Sequence, residues 1–181
     1  MNLTLNKKQI ERFSRQIILK DIGTIGQKKI IKSKVLIIGM GGLGCPVAEF
    51  LARAGVGSIG IIDSDNVDLS NIHRQSLYDI NDLKKSKVVA AKKKLKKINS
   101  EIKVRSYKIR LNEVNYNKII KGYDYIVDGS DNFKTKFLIN DFCKVSKKFL
   151  VSGAISKFDG HIFTFDFKNK NTPCIRSFFQ E

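Results

Sequence analysis

Tryptophan is absent from this 181-residue sequence, proline occurs twice and cysteine three times. Three cysteines are an odd number without regular spacing, which excludes a disulfide scaffold and makes a reducing cytosol the expected compartment. No Pro-rich linker, low-complexity stretch or internal repeat divides the chain, and its length favours one domain. The longest apolar run, residues 35–45, is broken by glycines and too short to span a bilayer, so no membrane association is expected. Residues 1–13 are polar and lack the apolar core of a secretory signal. A hydrophobic fraction of 42% excludes intrinsic disorder as a description of the whole chain.

Acidic residues are also scarce: 17 Asp plus Glu face 34 Lys plus Arg, a formal net charge of +17. Only seven of the 34 are arginine. Lys, Ile and Asn, all abundant here, have A/T-rich codons, and base composition alone gives such a skew. Nucleic acid is therefore not expected as a partner. The same bias should erode Arg to Lys, so Arg12, Arg15 and Arg74 mark positions where a planar, bidentate guanidinium is needed.

The apolar spacing predicts an α/β fold: a Rossmann-like, mostly parallel sheet with helices on both faces and an N-terminal helical segment. Residues 1–32 carry Ile10, Phe13, Ile17 and Ile18 at helical spacing. Strands are expected at 35–39, 58–63, 102–109, 123–128, 149–151 and, with less clean alternation, 160–167. Helices are expected at 46–54, where Pro46 fits a first turn, at 82–98 and at 132–147.

Gly39-Met-Gly41-Gly42-Leu-Gly44 matches G-x-G-x-x-G between a strand and a helix, the context in which glycines let phosphate oxygens approach helix N-terminal amides. Asp63, nineteen residues beyond Gly44 at the end of the next strand, is placed to accept hydrogen bonds from ribose hydroxyls. These two features alone suit an NAD-dependent oxidoreductase. The residues that follow suit ATP chemistry better: Asp63, Asp65, Asn71, Arg74, Gln75 and Lys87 fall within 25 residues, and Asp131-Asn132 follows another strand. In an open α/β sheet these strand ends share a crevice, where cations and an acid able to hold Mg²⁺ can stabilise charge on phosphates.

Arg12-Phe-Ser-Arg15-Gln-Ile-Ile-Leu, the glycine loop, Asp63-Ser-Asp65, Ser70-Asn-Ile-His-Arg74-Gln75, Lys87, Ser130-Asp131-Asn132 and Val151-Ser-Gly-Ala together resemble the ThiF/MoeB/HesA family, bacterial relatives of ubiquitin-activating enzymes. The resemblance implies an ATP-dependent adenylyltransferase that activates the C-terminal glycine of a ubiquitin-like sulfur-carrier protein ending in Gly-Gly and releases pyrophosphate. The carrier would serve molybdopterin synthase or thiamine-thiazole formation. The implied cofactor-binding residues are Gly39, Gly41, Gly42, Gly44, Asp63, Asp65, Ser70, Asn71, Gln75 and Asn132. The implied catalytic residues are Arg15, Arg74, Lys87 and Asp131, with Asp131 also the Mg²⁺ ligand. Arg15 resembles an arginine that acts in trans on a homodimer partner's ATP, which makes 1–32 a helical segment packing in the dimer and 33–181 the adenylation domain. A tRNA threonylcarbamoyladenosine dehydratase-type relative is the alternative on the same fold.

The sequence departs from the family in three places. Many members hold zinc with two C-x-x-C pairs, whereas Pro173-Cys174-Ile-Arg176-Ser177 has serine in place of the second thiolate. The second pair would lie beyond residue 181, so the domain reads as C-terminally truncated and no zinc site is expected. Lys136 stands where many relatives have Arg. Cys45 and Cys143 read as small core residues, and His73 as packed or solvated.

Overall fold

The computed structural model describes residues 4–179, so the outermost ends of the expected 1–32 and 33–181 segments lie outside the described residues. Two helices open the chain, α1 (Lys7–Ile17) and α2 (Gly23–Lys32). Asn6 starts α1 by accepting the Gln9 N–H, with the Gln9 side chain reaching back to the Asn6 N–H. There follow β1 (Lys34–Ile38), α3 (Gly44–Ala54), β2 (Ser58–Ile62), α4 (Lys87–Ile98) and β3 (Lys103–Tyr107). The second half holds α5 (Tyr116–Ile120), β4 (Tyr125–Asp128), α6 (Phe133–Val145), β5 (Phe149–Ser156) and β6 (Asp159–Asp166).

The sheet order is β3-β2-β1-β4-β5-β6, parallel from β3 to β5, with β6 antiparallel on the edge. Alternation along the strands splits the core in two. Val35, Ile37, Ile59 and Ile61 face α3 and α4, packing on Ala48, Ala52, Val88 and Leu95. Leu36, Ile38, Ile62 and Ile126 face the other way, onto Ile120 of α5 and Phe137, Ile139 and Cys143 of α6. Both faces of each central strand are buried, which is why they read as continuous apolar runs rather than alternating ones. Cys45 and Cys143 are fully buried, as expected of small core residues.

α1 and α2 dock at the C-terminal end of α3. The Phe13 ring lies against Gly55, and the side-chain amides of Gln16 and Gln27 both donate to the Ala54 carbonyl. Three expectations need adjusting. The helix expected over 82–98 begins at Lys87, because Asp79 caps a 3-10 turn at Ile80–Asp82 and Lys84 then turns with φ +61°. The strand expected at 149–151 runs to Ser156, its more exposed outer half held by full pairing with β6. Finally, α5 falls within 110–122, where the apolar spacing predicts no element. Among the described residues no helix is long and apolar enough to cross a membrane.

Candidate functional site

Chain crossovers leave β1 through α3 toward one face and β4 through α6 toward the other. The carboxyl ends of these adjacent strands therefore part, which is where open α/β sheets bind ligands. A cavity of about 780 Å³ occupies this point. Its walls include Gly39, Gly41, Gly42, Asp63, Asp65, Asn71, Arg74, Gln75, Lys87, Asp131 and Asn132. Eleven of the fourteen expected site residues are thus brought together. Gly44 and Ser70 stand behind the lining. Arg15 does not reach it: its neighbour Gln16 bonds the far end of α3, an 11-residue helix and hence about 16 Å long.

The glycine loop contains two kinds of glycine. Gly39 has φ +88°, and a Cβ there would meet the Gly129 carbonyl oxygen at 2.8 Å; a Cβ on Gly44 would run into the Gly39 carbonyl. Those two are required by the turn itself. A Cβ on Gly42 would meet nothing closer than Arg74 side-chain carbons at 3.6 Å, and one on Gly41 only Gln75 Nε2 at 3.9 Å. Protein packing does not demand glycine there, but a phosphate seated on the loop would. The N-terminus of α3 has no side-chain cap; the Cys45 N–H is taken by the Gly41 carbonyl at 3.0 Å and Pro46 has no N–H, so the donors the turn can offer a phosphate are the loop amides before Cys45. Behind the loop, Tyr78 Oη and Cys45 Sγ both donate to the Met40 carbonyl, at 3.0 and 3.4 Å. Burial pushes the Cys45 thiol up to about 11 and raises Tyr78 as well, so both remain protonated donors.

Asp63 stands at the end of β2 between the glycine loop and the segment that follows it. Its Oδ2 accepts the Met40 N–H at 2.8 Å and its Oδ1 the Asp65 N–H at 2.8 Å. Lys87, 6% exposed, opens α4 and reaches Asp65 Oδ2 at 3.2 Å. Arg74 lays its aliphatic stem beside Gly42 and donates from Nη1 to the Ser70 carbonyl at 2.9 Å. His73, exposed, accepts from the same nitrogen at 2.8 Å. Ser70 also accepts from Asn71 Nδ2 at 3.3 Å, so it supports two lining residues without lining the cavity itself. Gln75 is 3% exposed and its Oε1 has no hydrogen-bond partner among the described residues. An orphaned buried acceptor beside the loop fits a site whose hydrogen bonds are completed by a ligand.

On the opposite wall Asn132 caps α6 by accepting the Thr135 N–H at 2.9 Å, and its Nδ2 donates to Asp131 Oδ1 at 3.2 Å. The exposed Asp131 carboxylate retains acceptor capacity and is a hard oxygen donor, which fits Mg²⁺. In the 173–177 stretch Cys174 Sγ faces Ser177 Oγ at 3.9 Å, a hydroxyl where zinc prefers a second thiolate. Two features go beyond the sequence reading, the place of Arg110 and the burial of Lys136 against Asp128. Arg110 lines the cavity just past β3, where the strand-end rule would have pointed. Asp128 and Lys136 form a buried pair beneath the Asp131 wall, at 3.2 Å.

The ThiF family model matches residues 13–181. The chain is 44% identical over 176 residues to the "Adenylyltransferase and sulfurtransferase MOCS3" of Dictyostelium discoideum, covering 97% of this chain and 41% of that protein. It is 40% identical over 176 residues to the "Sulfur carrier protein adenylyltransferase" of Thermus thermophilus, covering 96% of this chain and 65% of that protein. The chain thus spans less than two thirds of these relatives. Among solved structures, the E. coli tRNA N6-threonylcarbamoyladenosine dehydratase TcdA in complex with ATP superposes with a TM-score of 0.77 at 26% identity, covering 83% of this chain and 61% of that one. Family match, fold and glycine-loop geometry agree: the chain is a member of the ThiF family.

Proposed function

We propose that this domain adenylates the C-terminal glycine carboxylate of a ubiquitin-like sulfur-carrier protein with ATP. The observation that carries the reading is the cavity at the β1–β4 switch point, where the glycine loop with its open Gly42 face, Arg74 and Lys87 stand opposite Asp131 and beside Asp63. Relatives at 40% and 44% identity bear adenylyltransferase names, which favours this reading over the dehydratase alternative at 26%.

In this reading Asp63 accepts the ribose hydroxyls and the amides around Gly41 and Gly42 hold phosphate oxygens. The carrier carboxylate attacks the α-phosphorus. The bond from that phosphorus to the bridging oxygen breaks, and pyrophosphate leaves with the electron pair. Two anions meet in this step, so the chain's contribution is positioning and positive charge rather than a covalent nucleophile. Arg74 and Lys87 bear on the phosphates as negative charge moves toward the leaving group. Asn71 and Gln75 complete the hydrogen bonding, and Asp131 and Asn132 supply the cation-holding wall. Mg²⁺ held at Asp131 would screen the phosphate charges. Arg15, too far from its own cavity, would serve the neighbouring subunit of a homodimer.

The test is mass spectrometry of a carrier ending in Gly-Gly after incubation with the chain, ATP and Mg²⁺. A gain of one adenylyl group on the carrier is expected, with none when the final glycine is removed. An unmodified carrier, together with tight NAD binding, would favour the oxidoreductase reading instead.

A further inference from the structure

The geometry points to Lys136 as a positioning residue for Asp131, acting through the buried carboxylate of Asp128. This inference rests on the proposal that Asp131 holds the cation of a bound nucleotide. Asp128 ends β4 with its side chain fully buried and every acceptor position used. Its Oδ1 accepts the Ser130 N–H at 2.9 Å and the Ser130 hydroxyl at 2.6 Å. Its Oδ2 accepts the Ser152 hydroxyl at 2.6 Å and the Lys136 ammonium at 3.2 Å. Lys136, 6% exposed on α6, donates a second proton to the Gly153 carbonyl at 2.6 Å.

One ammonium therefore ties together the end of β4, the first turns of α6 and the middle of β5. The four-residue turn between the first two, Gly129 to Asn132, carries Asp131 and Asn132 into the cavity. The turn is also pressed against the phosphate loop: Gly129 donates to the Ile38 carbonyl at 2.8 Å, and Gly39 cannot gain a Cβ without striking Gly129. Neither Asp128 nor Lys136 lines the cavity, so a ligand seated there would meet neither directly. Their charges cancel out of water, and what they fix is the direction in which the next acid points. Groups behind a metal ligand that orient it in this way change metal affinity about tenfold to a hundredfold when removed.

The experiment compares four forms of the full chain: native, Lys136→Arg, Lys136→Met and the neutral double variant Asp128→Asn/Lys136→Met. Thermal unfolding reports the pair's structural role. Titration calorimetry with a non-hydrolysable ATP analogue, with and without Mg²⁺, gives the Mg²⁺-dependent gain in affinity, and AMP serves as a ligand lacking the β- and γ-phosphates. The expected result is that Lys136→Met loses about tenfold or more of the Mg²⁺-dependent gain while AMP affinity stays within about twofold. Lys136→Arg should keep the gain, because a guanidinium can hold the same carboxylate. The double variant should recover thermal stability without recovering the gain. Recovery of both would make the pair merely structural and overturn the inference, as would an undiminished gain in a folded Lys136→Met chain. A native chain with no Mg²⁺-dependent gain at all would instead overturn the nucleotide reading on which the inference stands.

Discussion

Each oxygen of the Asp63 carboxylate already accepts one backbone N–H, from Met40 and from Asp65, and a carboxylate offers about four acceptor positions. Two positions remain for a vicinal pair of ribose hydroxyls. Truncation would remove those acceptors and also free the Met40 amide inside the phosphate loop, so its effect should exceed that of one lost hydrogen bond. Asp63→Ala is expected to weaken ATP binding by about tenfold or more, read by calorimetry, because hydrogen bonds to a charged group contribute about 1.5–3 kcal/mol each. A change below about twofold would remove Asp63 from the site. Asp63 was legible in the sequence because its spacing from the glycine loop is local. Lys136 stands out in the sequence only as a departure from the family, and its role was not legible because its burial depends on Asp128 and on the Gly153 carbonyl 17 residues further on.

At the scale of elements, the turn from β1 into α3 separates folding from binding. Gly44 opens α3 in contact with the Gly39 carbonyl, so Gly44→Ala must displace backbone. Gly42 faces open space in front of the loop. Gly44→Ala should therefore lower thermal stability by about 3 kcal/mol or more, whereas Gly42→Ala should change it by less than about 0.5 kcal/mol and still lose most nucleotide affinity. Equal stabilities, or an unaffected nucleotide affinity in Gly42→Ala, would contradict the division. Both glycines fit one motif in the sequence, and only the backbone geometry tells them apart. Helix starts were similarly hard to read. The pattern through Leu83, Val88, Ala91 and Leu95 looks continuous, but Leu83 belongs to the turn before α4 and reaches the same core from outside the helix. The outer half of β5 was invisible because its exposed residues are held by β6 rather than by burial.

For the whole molecule, the order of elements was enough to place the site. Strands alternating with helices imply a parallel sheet, and the crevice at its strand ends gathers residues from Gly39 to Asn132 that are far apart in the chain. The excess of basic residues was a weaker guide, since the functional reading uses Arg15, Arg74 and Lys87 of the 34. Arg15 poses the one question this chain's own cavity does not answer, because it sits at the opposite end of α3. If it serves a partner subunit, mixing inactive Arg15→Ala and Asp131→Ala chains should restore activity by pairing one intact site; absence of recovery would place Arg15 outside the reaction. The central claim, carboxylate activation on the α-phosphorus of ATP, is tested most directly by exchange of labelled pyrophosphate into ATP in the presence of a carrier ending in Gly-Gly. The account predicts exchange that requires the carrier's terminal carboxylate and is abolished in Asp131→Ala. Saturable ATP binding without any carrier-dependent exchange would contradict it.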